Sequence, residues 1–336
     1  MKAFVFKRYG SPDVLELEDV AMPVPGDGEV LIRVHAVSIN DWDWDALCGT
    51  TVVNRLIFGL RNPKKQILGS DVAGRVESAG PNVRNFRPGD EVFGDLSGRW
   101  GGFAEYVCAP EKDLALKAPG MSFEQAAAIP QAAMLAVQAL RDIALMRRGQ
   151  TLLINGAGGG VGTFAIQLAR LHGLEITAVD RAEKLDMLRS MGAAHVIDYA
   201  REDFTRNGRR YDLILDVKTS RSLLDCARAL NPDGTYVTVG GSMPRLVQAL
   251  LWWPWIAATT RKKIRLVTLE KNKDLHLMNQ LFEDQKVVPV IDRCYDLEAL
   301  PEAFHRFAAG LHQGKIVITC SKESSRSHSQ CVSFSA

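Results

Sequence analysis

The sequence predicts an α/β protein in which a small, irregular β domain precedes a doubly wound parallel sheet. Three observations carry this. Residues 1–120 are short β-like runs broken by Gly and Pro. From residue 151, strand-length apolar runs alternate with helical spacing. The first of those runs ends in a glycine cluster that opens a helix. Strands alternating with helices make a parallel sheet, and ligands of such sheets bind at the carboxyl ends of the strands.

In the first part, Ala3–Phe6, Glu29–Val37, Val72–Gly80, Glu91–Gly94 and Gly102–Cys108 read as strands. Pro23 to Gly28, Gly80-Pro81-Asn82 and Arg87 to Asp90 read as turns. Ser122, with Glu124 and Gln125 behind it, caps an alanine-rich helical stretch that Pro130 begins or interrupts. The boundary falls near there, giving domains 1–125 and 126–287. In the second domain, strands over 151–155, Glu175–Val179, His195–Ile197, Leu213–Asp216 and Thr235–Val239 alternate with helices over 163–172, Glu183–Met191 and Leu223–Leu230. Further on, 274–287 and 298–311 are helical, Pro289–Asp292 is extended and Lys315–Thr319 is a strand. The Ser-rich tail, 321–336, is expected to be disordered.

Composition excludes several classes. With 46% hydrophobic and 24% charged residues the 336-residue chain is ordinary and globular. A net charge of +2 argues against a nucleic-acid protein that neutralises phosphates. The start, MKAFVFKR, already reads as a strand, with no apolar run of the kind a secretory signal needs. Six scattered cysteines fit free thiols in a reducing compartment, the cytoplasm. The apolar run 246–260, interrupted by Pro254, is too short to span a hydrocarbon layer of roughly 30 Å. A buried or subunit-contact segment, or a wall over a substrate cleft, is preferred there to a membrane-surface helix, and no membrane is expected.

The glycine cluster reads Gly156-x-x-Gly159-x-x-Gly162, with Gly160 and Val161 between. It departs from the G-x-G-x-x-G fingerprint, and no Gly-Lys-Ser/Thr follows. Its place matters more than its spacing. A helix start carries unpaired N–H groups and partial positive charge, and glycines let a pyrophosphate approach the backbone. Asp180 ends the next strand, where a carboxylate accepts hydrogen bonds from the ribose hydroxyls of NAD and repels the 2′-phosphate of NADP. Arg181 and Lys184 stand close by and would attract that phosphate. A solvated surface Asp180 is the bland alternative.

The segments INGAGGGVGTFAIQLAR, VDRAEKLDMLRSMGAAHVIDY, VSINDWDW, LGSDVAGRVESAG, FRPGDEVFG, GGFAEYV and HQGKIVIT together resemble the medium-chain dehydrogenase/reductase superfamily, and within it the zinc-independent quinone oxidoreductase-like branch. The resemblance spans roughly residues 1–320. It implies a GroES-like β domain, completed by about 288–320, around a Rossmann domain that binds NAD(P)H, in a homodimer. It carries Asn40 and Asp43 to the nicotinamide end of the site, Asn40 as donor to a substrate carbonyl and Asp43 as orienter of a water or a cation. A local Asx-type turn explains Asp43 equally well. Trp42 and Trp44 would wall the site or pack the core, and Tyr106 reads as strand core. Lys184 and Tyr199 would flank the adenosine 2′ position, and Gly240 and Gly241 the nicotinamide ribose. Lys315 would reach the cofactor or the domain interface, or be a plain surface lysine. This chain has Asp180 where NADPH-using relatives often have a small residue, so both cofactors stay open.

Zinc-using relatives supply thiolate and imidazole ligands at three stretches. Here those stretches are Ser38 to Asp41, Gly69-Ser70-Asp71 and Gln131-Ala132-Ala133, and the four-Cys lobe is missing. Tetrahedral zinc wants N and S ligands, so no zinc is expected. Without a Lewis acid, the substrate is one that takes hydride easily, a quinone or an α,β-unsaturated carbonyl. Two other readings are an NAD(P)-dependent alcohol dehydrogenase, for which no His-bearing motif offers a base, and a non-enzymatic nucleotide-binding redox sensor.

Overall fold

The computed structural model describes residues 1–240 and 260–320. Gly241, the apolar run up to residue 259 and the tail 321–336 lie outside the described residues. In chain order the strands are β1 (Lys2–Val5), β2 (Glu16–Asp19), β3 (Glu29–Ser38), β4 (Asp71–Ala79), β5 (Glu91–Asp95), β6 (Tyr106–Pro110), β7 (Ala115–Leu116), β8 (Thr151–Asn155), β9 (Glu175–Asp180), β10 (His195–Asp198), β11 (Tyr211–Asp216), β12 (Leu230–Thr238), β13 (Lys263–Leu266), β14 (Ile291–Asp296) and β15 (Lys315–Thr319). The helices are α1 (Asp41–Cys48), α2 (Val52–Phe58), α3 (Phe123–Ala127), α4 (Pro130–Val137), α5 (Gly160–Leu171), α6 (Leu185–Ser190), α7 (Leu223–Arg228), α8 (Leu275–Glu283) and α9 (Leu300–Ala308).

The described residues form two compact units: Met1–Gln131 with those from Lys271 to residue 320, and those within Ala132–Glu270. In the first, one sheet runs β14-β15-β3-β4-β5-β7, with β6 paired to β3. Its core is made by inward residues such as Ile32, Val72, Phe103, Phe304 and Ile316. The segment 271–287, read from sequence with the second domain, packs here instead. Asn272 exchanges hydrogen bonds with the backbone of Asp95, and Asn279 donates to Leu116 O.

In the second unit six strands run β10-β9-β8-β11-β12-β13, every pair parallel. Strand order therefore reverses between β8 and β11, the point at which such sheets bind ligands. Five of these strands are legible as apolar runs. The sixth, β13, is not, because KIRL alternates charged Lys263 and Arg265 with Ile264 and Leu266 and offers no apolar run. Helix α5 stops as expected: Gly173 adopts φ +69° and its N–H closes on Arg170 O at 3.0 Å. The stretch after Asn40 forms α1 and α2, helices the sequence reading did not assign. An Asn40/Asp43 capping box starts the first, and Thr51 caps the second through the Asn54 N–H. Pro130 divides the alanine-rich stretch into α3 and α4, and Ser122 caps α3 with Gln125 as expected.

Candidate cofactor and proton sites

In the second unit, the turn after β8 is pinned to the end of β9. The N–H groups of Gly156 and Ala157 donate to Val179 O at 3.0 and 3.1 Å. Gly156 sits at φ +86°, where a side chain would strain the backbone. Gly162 is fixed by packing, since a Cβ there would stand 2.4 Å from Ala157 O. Gly159 is different. A Cβ on it would meet only Gly156 O, at an ordinary 3.7 Å. The fold does not require a glycine at 159. It is the N-cap of α5 and makes no side-chain cap, so the helix start with Gly160 and Val161, both half-buried, keeps its dipole for an outside anion.

Asp180, Lys184 and Tyr199 come together beside this turn. The Asp180 carboxylate accepts from Gly158 N at 2.8 Å and Arg181 N at 2.9 Å, and Lys184 Nζ lies 3.7 Å from Oδ1. The two side chains are 8% and 5% exposed, so neither is a solvated surface group. Burial lowers the Lys184 ammonium below its usual range, against the pull of Asp180. Tyr199 bonds Asp180 O through its N–H at 3.2 Å and leaves its ring exposed. Gly240, at φ +71°, follows β12 and accepts from Thr238 Oγ1 at 2.8 Å. Gly241 lies outside the described residues.

Sequence reading missed Asp216. It ends β11 next to the turn and is fully buried. Its carboxylate accepts from Asn155 Nδ2 at 2.8 Å, Thr219 N at 2.7 Å and the Tyr236 hydroxyl at 2.8 Å, tying β8, β11 and β12 together at their carboxyl ends. The signal was present: YDLILD ends in Asp as EITAVD does.

The first unit holds a buried polar row. Ser38 pairs with Asp71 across β3 and β4, Asp71 with Asp95 across β4 and β5, and Val317 with Ser38 across β15 and β3. Paired residues share a face, and Lys315, two before Val317, shares it as well. Lys315 is 4% exposed. Its Nζ donates to Ile39 O at 3.0 Å and Asn40 Oδ1 at 2.5 Å and lies 3.8 Å from Asp71 Oδ2. It is therefore a buried cation inside this unit and not a surface lysine. Burial lowers its pKa while Asp71 and Asp43 oppose that.

Asn40 and Asp43 sit in the same cluster. Asn40 is 6% exposed, and its Nδ2 donates to Ser70 Oγ at 3.2 Å. Asp43 is fully buried and accepts from Asn40 N at 2.9 Å and Gly69 N at 3.0 Å. The first bond is half of the capping box and the second ties α1 to the residues before β4, so Asp43 serves first as a structural brace. Burial pushes its carboxyl up to about 8, against the two N–H donors. Trp42, by contrast, is 44% exposed and edge-on to Phe58, while Trp44 packs on the core.

The three stretches that bear zinc ligands in other dehydrogenases meet here. Ser38 Oγ donates to Asp71 Oδ2 at 3.4 Å and Gln131 N to the same oxygen at 3.2 Å. They bring together hydroxyls, amides and the Asp71 carboxylate, beside further carboxylates and the Lys315 ammonium, with no thiolate or imidazole. This set does not fit zinc. Among the described residues, no group of three or more His, Cys, Asp or Glu is placed to hold a metal.

Comparison with known proteins agrees with this architecture. The family described as "Alcohol dehydrogenase GroES-like domain" matches residues 26–120, and that described as "Zinc-binding dehydrogenase" matches residues 191–318. The 2-methylene-furan-3-one reductase of Solanum lycopersicum is 32% identical, over 95% of this chain and 79% of its own. A chloroplastic quinone-oxidoreductase homolog of Spinacia oleracea is 31% identical, over 95% and 98%. The solved quinone oxidoreductase from Coxiella burnetii superposes with a TM-score of 0.85 at 28% identity, over 96% of this chain and 99% of that one. With two such relatives matched along nearly its whole length, the chain belongs to the medium-chain dehydrogenase/reductase superfamily.

Proposed function

We propose that the protein is an NAD(P)H-dependent oxidoreductase that reduces quinones or α,β-unsaturated carbonyls without zinc. The observation that carries the reading is Gly159, a helix-capping glycine that packing does not require, at the reversal point of the parallel sheet. Relatives named as a quinone oxidoreductase homolog and as a reductase of a methylene-furanone support the substrate class. The turn from Gly156 to Gly162 would hold the pyrophosphate, Asp180, Lys184 and Tyr199 the adenosine ribose, and Gly240 with Gly241 the nicotinamide ribose. The bound nicotinamide supplies the hydride, and the protein supplies position and electrostatics. Asn40, whose amide is engaged by Lys315 and Ser70, is read as the polar end of the acceptor site, with Asp43 bracing it.

The donor set around Asp71 supports a zinc-free enzyme, and a purified sample with stoichiometric zinc would overturn that part. The scattered cysteines, without a C-x-x-C or a close pair in the sequence, support a reducing compartment such as the cytoplasm. No helix among the described residues is long and apolar enough to cross a membrane. A homodimer is expected and is read by sedimentation. Following reduced-nicotinamide absorbance with a panel of quinones and enones tests the activity. Cofactor binding with no turnover on any acceptor would favour the redox-sensor reading instead.

A further inference from the structure

The buried cluster of the first unit holds more acids than bases. Asp43, Asp71 and Asp95 are 0%, 0% and 1% exposed, and among the described residues the one buried cation facing them is Lys315. Asp41, exposed on α1, adds another negative charge that acts on Lys315. In a dry interior, neighbouring carboxylates do not all ionise, because each ion lacks solvent and repels the others. One ammonium matches one carboxylate, so the cluster keeps a proton beyond that pair.

Geometry points to where it sits. Asp71 Oδ2 already accepts from Gln131 N and Ser38 Oγ and faces Lys315. Asp71 Oδ1 is buried without a protein partner, and so is Asp95 Oδ2, on the residue directly opposite across β4 and β5. A carboxylate has only acceptors, whereas a protonated carboxyl has one O–H to donate. A proton on Asp71 Oδ1 turns this unpartnered acceptor into an O–H on the face it shares with Asp95. Burial, foremost, and Asp95 push the Asp71 carboxyl up to about 7, against Lys315.

We propose that the Asp71–Lys315 pair stores the proton that the reduction consumes. The inference rests on the reductase reading above. Hydride addition to the β-carbon of an enone leaves an enolate, which needs one proton to become the saturated carbonyl. The O–H bond of Asp71 breaks and its electron pair stays on the carboxylate. That new charge faces the Lys315 ammonium 3.8 Å away. The proton leaves on the side of Asn40, the most exposed member of the cluster at 6%, whose amide hydrogen-bonds to Asp71 and is held by Lys315 and Ser70. It forms the new C–H bond on the α-carbon, and solvent recharges Asp71 before the next turnover. A quinone uses the same proton to complete its hydroquinone. Asp71 acts through its neighbours and is a positioning residue for the proton.

Two variants test this, Asp71→Asn and the neutral pair Asp71→Asn/Lys315→Met, which removes both charges and leaves no lone ion buried. Infrared spectra of the cofactor-free protein near neutral pH should show C=O absorption of buried protonated carboxyls, Asp43 among them, and both variants should lose the part that belongs to Asp71. With an enone, wild-type kcat should fall as pH rises through about 7 and show a solvent isotope effect. Both variants should lose that pH dependence and about 100-fold in kcat, with the KM for NAD(P)H unchanged. A neutral-pair variant that folds and keeps wild-type kcat and pH profile overturns the proton store, as does an infrared band unaltered by Asp71→Asn. Wild-type protein that turns over no acceptor defeats the reductase reading, a distinct result.

Discussion

Asp180 Oδ2 accepts the N–H of Gly158 at 2.8 Å, so the acid that ends β9 is fastened to the glycine turn that ends β8. The same carboxylate holds Lys184 at 3.7 Å. One group thus shapes the loop and neutralises the nearest cation, and the choice between NADH and NADPH follows from that pairing.

Replacing Asp180 by Gly removes the counter-charge of Lys184 and the carboxylate that repels a 2′-phosphate. The NADPH-to-NADH affinity ratio should rise about tenfold, or about 1.4 kcal/mol. Fluorescence titration with each cofactor reads it. An unchanged ratio would remove Asp180 from the ribose site. Leaving the Gly158 N–H without its acceptor should also lower stability by about 1–3 kcal/mol.

Two glycines of one turn should respond in opposite ways. Gly162→Ala forces a Cβ to within 2.4 Å of Ala157 O, backbone that cannot give way, and should lower the melting temperature. Gly159→Ala meets nothing closer than 3.7 Å and should leave melting unchanged. It should weaken NAD(P)H binding about tenfold or more, because the methyl stands where a pyrophosphate approaches the backbone. Unaltered affinity in Gly159→Ala would move the phosphate site elsewhere.

Asp43→Ala removes the acceptor of two backbone N–H groups, Asn40 at the start of α1 and Gly69. Loss of a cap costs about 1 kcal/mol and an unsatisfied buried donor about 1–3 kcal/mol. Denaturant unfolding should show a total loss of about 2–4 kcal/mol by this sum. A midpoint equal to wild type would deny Asp43 its bracing role.

Stability should fall as pH rises from about 4 toward 8. Asp43 and Asp71 are pushed up to about 8 and about 7 in the folded chain, while an unfolded Asp titrates near ~3.9. In that window the folded state binds more protons than the unfolded one, so deprotonation favours unfolding. Asp71→Asn should show a shallower decline over this range than wild type. Equal slopes would mean that Asp71 does not carry the proton.

Much of this was legible in the sequence. Asp180 and the glycine turn stand at the ends of apolar runs, and strand ends in a parallel sheet are where ligands go. Lys315, Asp71 and Asn40 were not legible as one cluster, because β15, β4 and the start of α1 meet only through antiparallel register. In HQGKIVIT the lysine looks like an ordinary strand-opening cation. Nothing local says that its ammonium faces two buried carboxylates. Asp216 escaped for a related reason: its partners Asn155 and Tyr236 lie on other strands.

The central claim is hydride reduction without a metal. The measurement closest to it is oxidation of NADH or NADPH by zinc-quantified, chelator-treated protein, with quinones and enones as acceptors and saturated ketones as controls. The account predicts turnover with a quinone or an enone at less than stoichiometric zinc, and none with the saturated ketones. Turnover that disappears on chelation and returns with zinc, or cofactor binding with no turnover on any acceptor, would contradict it.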